Sequence, residues 1–236
     1  MTHRSKALSF IFYILSVLVL TSSAILRAAG SSSPLTQLAV LIITSALIYI
    51  GGVYMCRGAE DPEKIIKRHL WVIFILYIML LVNFTIFDGS FGRVTGKVLS
   101  SVSFAEYFGV RGNIVPFRMI YRQTKALIAG NYSLKNYVVN IAGNLAAFAP
   151  FALFLPLLFG KMRKFMFFFL TTSAVILLVE TIQLLTRVGS YDIDDYILNI
   201  LGASLTFALL SSSPGKKLKQ KIMHPISETE QNKDKK

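Results

Sequence analysis

Apolar stretches recur six times along the chain, at Ala7–Leu26, Leu35–Met55, Leu70–Phe87, Tyr137–Phe159, Phe165–Thr186 and Tyr196–Leu210. A helix needs roughly 20 residues to cross a hydrocarbon core of about 30 Å, so the pattern predicts six spans, the last least sharply bounded. The first is longer than the apolar part of a cleaved signal and is expected to remain as a span. Three of the six carry polar residues at helical spacing: Asn140 and Asn144; Glu180, Gln183 and Arg187; Asp195, Asn199 and Gly202. Each set falls on one helix face. Polar and charged groups within a bilayer cost energy and normally turn inward, so the pattern predicts a buried polar site between helices.

Composition agrees with the pattern. Hydrophobic residues make up 54% and charged residues 16% of the chain, and the mean hydropathy is +0.58, well away from an ordinary soluble domain. The expected fold class is an all-α, polytopic transmembrane helical bundle. The net charge of +13 lies largely beside span ends, and no nucleic-acid motif accompanies it; attraction to anionic lipid and correct insertion account for it.

Lys and Arg placement sets the expected orientation. With the N-terminus inside, the cytoplasmic segments hold Arg4 and Lys6, then Arg57, Lys64, Lys67 and Arg68, then Lys161, Arg163 and Lys164, then the lysines after Leu210. The short outer loops hold only Arg27 and Arg187, and seven more basic residues lie in the long outer segment Asp88–Asn136. Both termini are thus expected in the cytoplasm. The tail is polar and lysine-rich, so residues 213–236 are expected to be disordered.

This topology gathers the polar stripes in the outer leaflet. Asn140 and Asn144 sit in the outer half of the fourth span, Glu180 and Gln183 in that of the fifth, and Arg187 at its outer end. Asp192, Asp194 and Asp195 stand at the mouth of the sixth, with Asn199 a turn deeper. Gly189 and Ser190 supply the bend between the fifth and sixth spans, and one of the three aspartates is expected to cap the sixth helix. In the long loop, Pro116 forces Val115 out of the helical region, which predicts an extended or turn element at Asn113–Pro116. An interfacial amphipathic helix follows near Phe117–Ala129, with Arg118, Arg122 and Lys125 beside Met119, Ile120 and Leu127. A break near Pro150 is expected in the fourth span.

Some chemistry is excluded. The single cysteine, Cys56, can form neither an internal disulfide nor a thiol-based metal site, and His3, His69 and His224 fall in separate cytoplasmic segments. No metal site and no cofactor is expected.

The chain resembles the VanZ-like family of bacterial membrane proteins. The resemblance rests on three ordered pieces: Asn113-Ile114-Val115-Pro116-Phe117 in the outer loop; Asn140 through Pro150 in the fourth span; and Glu180-Thr181-Ile182-Gln183 followed by Arg187, Asp192, Asp195, Asn199 and Gly202. It implies a three-part chain: helices and a cytoplasmic loop at 1–79, a VanZ-like membrane domain at 80–212 and the basic tail at 213–236. It also implies a bacterial plasma membrane protein linked to low-level resistance to the lipoglycopeptide teicoplanin.

Two functions fit these residues. In the first, the protein binds a lipid or amphiphile at the outer leaflet. Arg118, Arg122, Lys125 and Arg187 would attract a phosphate or carboxylate, and Asn113, Pro116, Asn140, Asn144, Gln183, Asp192 and Asn199 would shape and orient the polar head. The partners expected are membrane lipids and a lipid-linked cell-wall precursor or lipoglycopeptide, with no nucleic acid. In the second, Glu180 and Asp195 are the acid/base pair of a hydrolase or transferase and Arg187 stabilises charge. A purely structural polar core is the third possibility.

Overall fold

The structure is a computed structural model that describes residues 3–30, 32–87 and 103–226. Part of the long outer segment and the last residues of the tail fall outside the described residues. The chain is almost wholly helical: α1 (His3–Ala28), α2 (Pro34–Cys56), α3 (Pro62–Val82), α4 (Phe104–Arg111), α5 (Arg118–Ile128), α6 (Leu134–Ala147), α7 (Phe151–Leu158), α8 (Phe165–Leu185), α9 (Ile193–Ser211) and α10 (Ser213–Met223). Two two-residue strands, β1 (Gly112–Asn113) and β2 (Tyr191–Asp192), pair in parallel. Six helical stretches are long and apolar enough to cross a membrane, with α6 and α7 together forming the fourth. Contacts divide the chain into two units, residues 1–80 with 214–236, and residues 81–213.

In the first unit α1 and α2 pack along each other. Ser33 caps α2, its hydroxyl accepting from the Thr36 N–H at 3.2 Å, and Pro34 sits where a missing N–H costs nothing. Gly51 and Gly52 admit two rings. A Cβ at Gly51 would lie 2.5 Å from the Tyr13 ring, and one at Gly52 would lie 2.8 Å from the His69 ring. The Tyr13 hydroxyl is 2.7 Å from His69 Nε2 and 2.9 Å from Met55 Sδ, which ties α1, α2 and α3 together.

Two boundaries differ from expectation. The third span begins at Pro62, because the basic residues Lys64, Lys67 and Arg68 interrupt hydropathy but not helix propensity. Within the tail expected to be disordered over 213–236, residues 227–236 lie outside the described residues, and Ser213–Met223 forms α10 instead. Gly215 and Met223 are buried there, and the Tyr49 hydroxyl donates to the Ile222 carbonyl at 3.0 Å; this packing onto α2 gives a lysine-rich segment the tertiary support that composition alone does not reveal.

The second unit is organised around α9, which contacts α5, α6, α7 and α8. The break near Pro150 is present: α6 ends at Ala147 and α7 starts at Phe151. At its other end the unit begins with a π-helical turn, Asn83–Phe87. Helix ends leave carbonyls without intrahelical donors, and the Thr85 carbonyl accepts from Gln183 Nε2 of α8 at 2.8 Å.

Gly202 sets the approach of α6 to α9. A Cβ there would fall 1.9 Å from the Leu145 carbonyl oxygen, which belongs to backbone and cannot swing aside. Gly202→Ala is therefore expected to lower the thermal midpoint of the purified protein and its level in the membrane, through overpacking of at least ~1–3 kcal/mol. Gly143→Ala is the matched control, since nothing lies within 4 Å of a Cβ at that position of α6; its midpoint should stay unchanged or rise slightly.

Candidate functional site

Three aspartates at the start of α9 meet three different segments. Asp192 is the N-cap of its own helix: its Oδ1 accepts from the Asp194 N–H at 2.9 Å and from Asn113 Nδ2 at 2.8 Å. Burial pushes its carboxyl above the usual carboxylate range, against the lowering effect of those two hydrogen bonds. Asp195 Oδ1 accepts from Asn144 Nδ2 of α6 at 2.5 Å. Asn199, one turn deeper, donates from Nδ2 to the Asp195 carbonyl at 2.8 Å, and its Oδ1 is buried with no hydrogen-bond partner among the described residues.

Asp194 does something else. It is fully buried, and its carboxylate reaches across to the start of α5, where Oδ1 accepts the Phe117 N–H and Oδ2 accepts those of Met119 at 2.7 Å and Ile120 at 3.1 Å. Phe117 is the N-cap residue of α5, with φ 64 and no cap of its own from a side chain. Asp194 supplies that cap from 75 residues away in sequence, and a carboxylate also suits the positive end of the helix dipole.

The fifth and sixth spans join through a turn around Arg187. Arg187 itself, at φ 56, takes the left-handed conformation, and Gly189, expected in the bend, lies in the same turn. It follows the C-cap of α8, where such a residue closes the last turn. A non-glycine residue pays about 1–2 kcal/mol there; the Arg187 guanidinium lies 5.7 Å from the centre of the Tyr107 ring, a contact that offsets part of this cost. The Tyr107 hydroxyl donates to the Gly189 carbonyl, which pins the same turn to α4. Beside it, Glu180 is buried and its Oε2 accepts the Asp192 N–H at 3.3 Å. Gln183 is also buried, its Oε1 without a hydrogen-bond partner among the described residues.

Most of the sequence-predicted residues thus gather at one end of the unit: Asn113, Asn144, Glu180, Gln183, Arg187, Asp192, Asp195 and Asn199. Asn140 is half-buried on α6 and forms no hydrogen bond to these acids among the described residues. Glu180 and Asp195 are engaged by different partners, a backbone N–H and the Asn144 amide. Among the described residues no group of three or more His, Cys, Asp or Glu side chains is placed to hold a metal ion.

Pro116 and Arg118 belong to the exposed side of the loop and of α5. Arg118, Arg122 and Lys125 lie in one row, all exposed and in no ion pair among the described residues. Met119, Ile120 and Leu127, expected beside them, are turned partly inward, on the side where α5 meets α6 and α9. A second outward row stands next to the cations instead: Phe117, Tyr121 and Ile128 are 61%, 67% and 82% exposed.

Tyr107 and α4 were missed from sequence. The signal was present as Ser103-Phe104-Ala105-Glu106: the Ser103 hydroxyl accepts from the Glu106 N–H, and Glu106 accepts from the Ser103 N–H at 2.8 Å, a capping box that announces a helix start.

The family model described as VanZ/LLP1 matches residues 74–213, more than half of the chain and all of the site just described. The chain belongs to the VanZ/LLP1 family. Comparison with curated proteins and with solved structures found no match.

Asp194→Ala is expected to loosen α5 without unfolding the spans. Each lost hydrogen bond to a charged group contributes about 1.5–3 kcal/mol, so amide exchange at Phe117, Met119 and Ile120 should accelerate at least roughly tenfold. Hydrogen exchange with mass spectrometry reads this directly. Equal acceleration along α8 would show that Asp194 supports the bundle as a whole.

Proposed function

We propose that this VanZ/LLP1 protein binds an anionic amphiphile at the outer face of the bacterial plasma membrane and so lowers sensitivity to teicoplanin-type antibiotics. The observation that carries the reading is the paired surface of α5. One exposed row, Arg118, Arg122 and Lys125, bears positive charge with no counter-ion among the described residues; the adjacent exposed row, Phe117, Tyr121 and Ile128, is apolar or aromatic. Anionic heads are met by cations, and the first carbons of a tail by apolar side chains. Aromatic residues also favour the membrane interface.

In this reading the buried polar network is the frame that holds α5. Glu180, Asp195, Asn144 and Asp192 fix the start of α9, and Asp194 passes that fixed position on to α5. The basic residues inside the spans' cytoplasmic flanks support both termini lying in the cytoplasm, with α5 then on the opposite side.

The test is a triple substitution, Arg118→Gln with Arg122→Gln and Lys125→Gln. These residues are exposed and form no ion pairs among the described residues, so the variant should reach wild-type levels on a membrane blot, as exposed substitutions usually change stability by no more than about 0.5 kcal/mol. Teicoplanin susceptibility of cells producing it should return to that of cells without the protein. Full resistance at normal abundance would take α5 out of the function.

A further inference from the structure

We propose that the α5 surface selects an amphiphile whose head carries two adjacent phosphoryl groups over one with a single phosphodiester. The proposal rests on α5 being the headgroup surface and adds the class of head that it reads.

The N-terminus of a helix normally offers its free N–H groups and its dipole to an anion. On α5 that place is filled from within, because the Asp194 carboxylate already accepts the N–H groups of Phe117, Met119 and Ile120. An incoming anion is therefore confined to the side of the helix. There it meets Arg118, Arg122 and Lys125, and no acid of α5 shares that row, since the helix sequence Arg118–Ile128 contains none.

The spacing of the row then decides what fits. At 1.5 Å per residue, Arg118 and Arg122 are about 6 Å apart along the axis, and Lys125 is about 4.5 Å further. A phosphodiester carries one charge over two oxygens, which one guanidinium fork satisfies. The second guanidinium and the ammonium would keep only water. A terminal diphosphate spreads two to three charges over both phosphorus centres, so each arginine can take one phosphoryl group in a bidentate grip while the lysine acts as a point charge beside them. The exposed ring of Tyr121 lies between Phe117 and Ile128 in the neighbouring row, where the first isoprenoid or acyl carbons would leave the head.

The experiment is a titration of the full-length protein in nanodiscs of zwitterionic lipid. The probes are farnesyl diphosphate, farnesyl monophosphate, inorganic diphosphate and phosphatidylglycerol supplied in mixed nanodiscs. Farnesyl diphosphate should bind at least roughly tenfold more tightly than the monophosphate, which corresponds to one additional charge-assisted contact, and Arg122→Gln should erase that ratio. Phosphatidylglycerol should not compete. Equal affinity for the two farnesyl probes, both lost in the triple glutamine variant, would overturn the diphosphate preference and leave amphiphile binding in place. No saturable binding of either, or binding indifferent to the triple variant, would overturn both. Inorganic diphosphate binding as tightly as farnesyl diphosphate would overturn the choice of an amphiphile and point to a soluble anion.

Discussion

A carboxylate carried into an apolar helix bundle must be given hydrogen-bond donors there, and this requirement ties together the helices of the second unit. Leaving an ionised group unpaired in such surroundings costs several kcal/mol. The run from Asp192 to Asp195 presents three carboxylates within one turn, and their donors come from separate segments. Each is answered from elsewhere: Asp192 by Asn113 and by its own helix, Asp194 by the backbone of α5, Asp195 by Asn144 of α6. The donors lie on separate elements, so satisfying the acids also stitches those elements to α9. Glu180 extends the pattern by taking the Asp192 N–H from α8.

Helix packing and the polar contacts depend on one another. Gly202 lets the Leu145 carbonyl come close enough that a Cβ would overlap it, and Leu145 is the immediate neighbour of Asn144. A side chain at position 202 would push this part of α6 outward, and the Asn144–Asp195 contact would have to lengthen with it. Close helix approach at small residues is a usual way for membrane helices to gain packing in the absence of a hydrophobic drive between them. Here it also brings an amide within reach of an acid.

Much of this was legible in the sequence, and what was not has physical causes. Six spans, the polar stripes and the break before Phe151 follow from hydropathy, helical period and proline, all of which act locally. The roles of the three aspartates did not follow, because Asp192, Asp194 and Asp195 are chemically alike and their donors lie up to 79 residues away. The bend was expected at Gly189 and Ser190, and Gly189 lies in it; that Arg187 takes the left-handed position, beside a ring that belongs to α4, did not follow from the local sequence. On α5 the period correctly gave an amphipathic helix but not which apolar residues face out, since Met119, Ile120 and Leu127 are drawn toward α6 and α9 while Phe117, Tyr121 and Ile128 are left outside.

The two signs of charge end up with different tasks. In the second unit Glu180, Asp192 and Asp194 are buried, and the carboxylates of Asp192 and Asp194 accept from backbone and amide donors. That choice has an electrostatic consequence. Had Asp194 paired with Arg118, the pair would have neutralised one end of the cationic row and tied down its side chain. By accepting N–H groups, Asp194 orders the helix without itself pairing with any of its three basic side chains. Exposed cations of this kind retain their full attraction for an approaching anion at low ionic strength, and lose it as salt screens them over about 10 Å at 0.1 M. The hydrogen bonds that Asp192 and Asp194 accept do not share that sensitivity, because their donors are fixed dipoles held in contact. The framework therefore keeps its geometry under conditions that switch the surface attraction up or down.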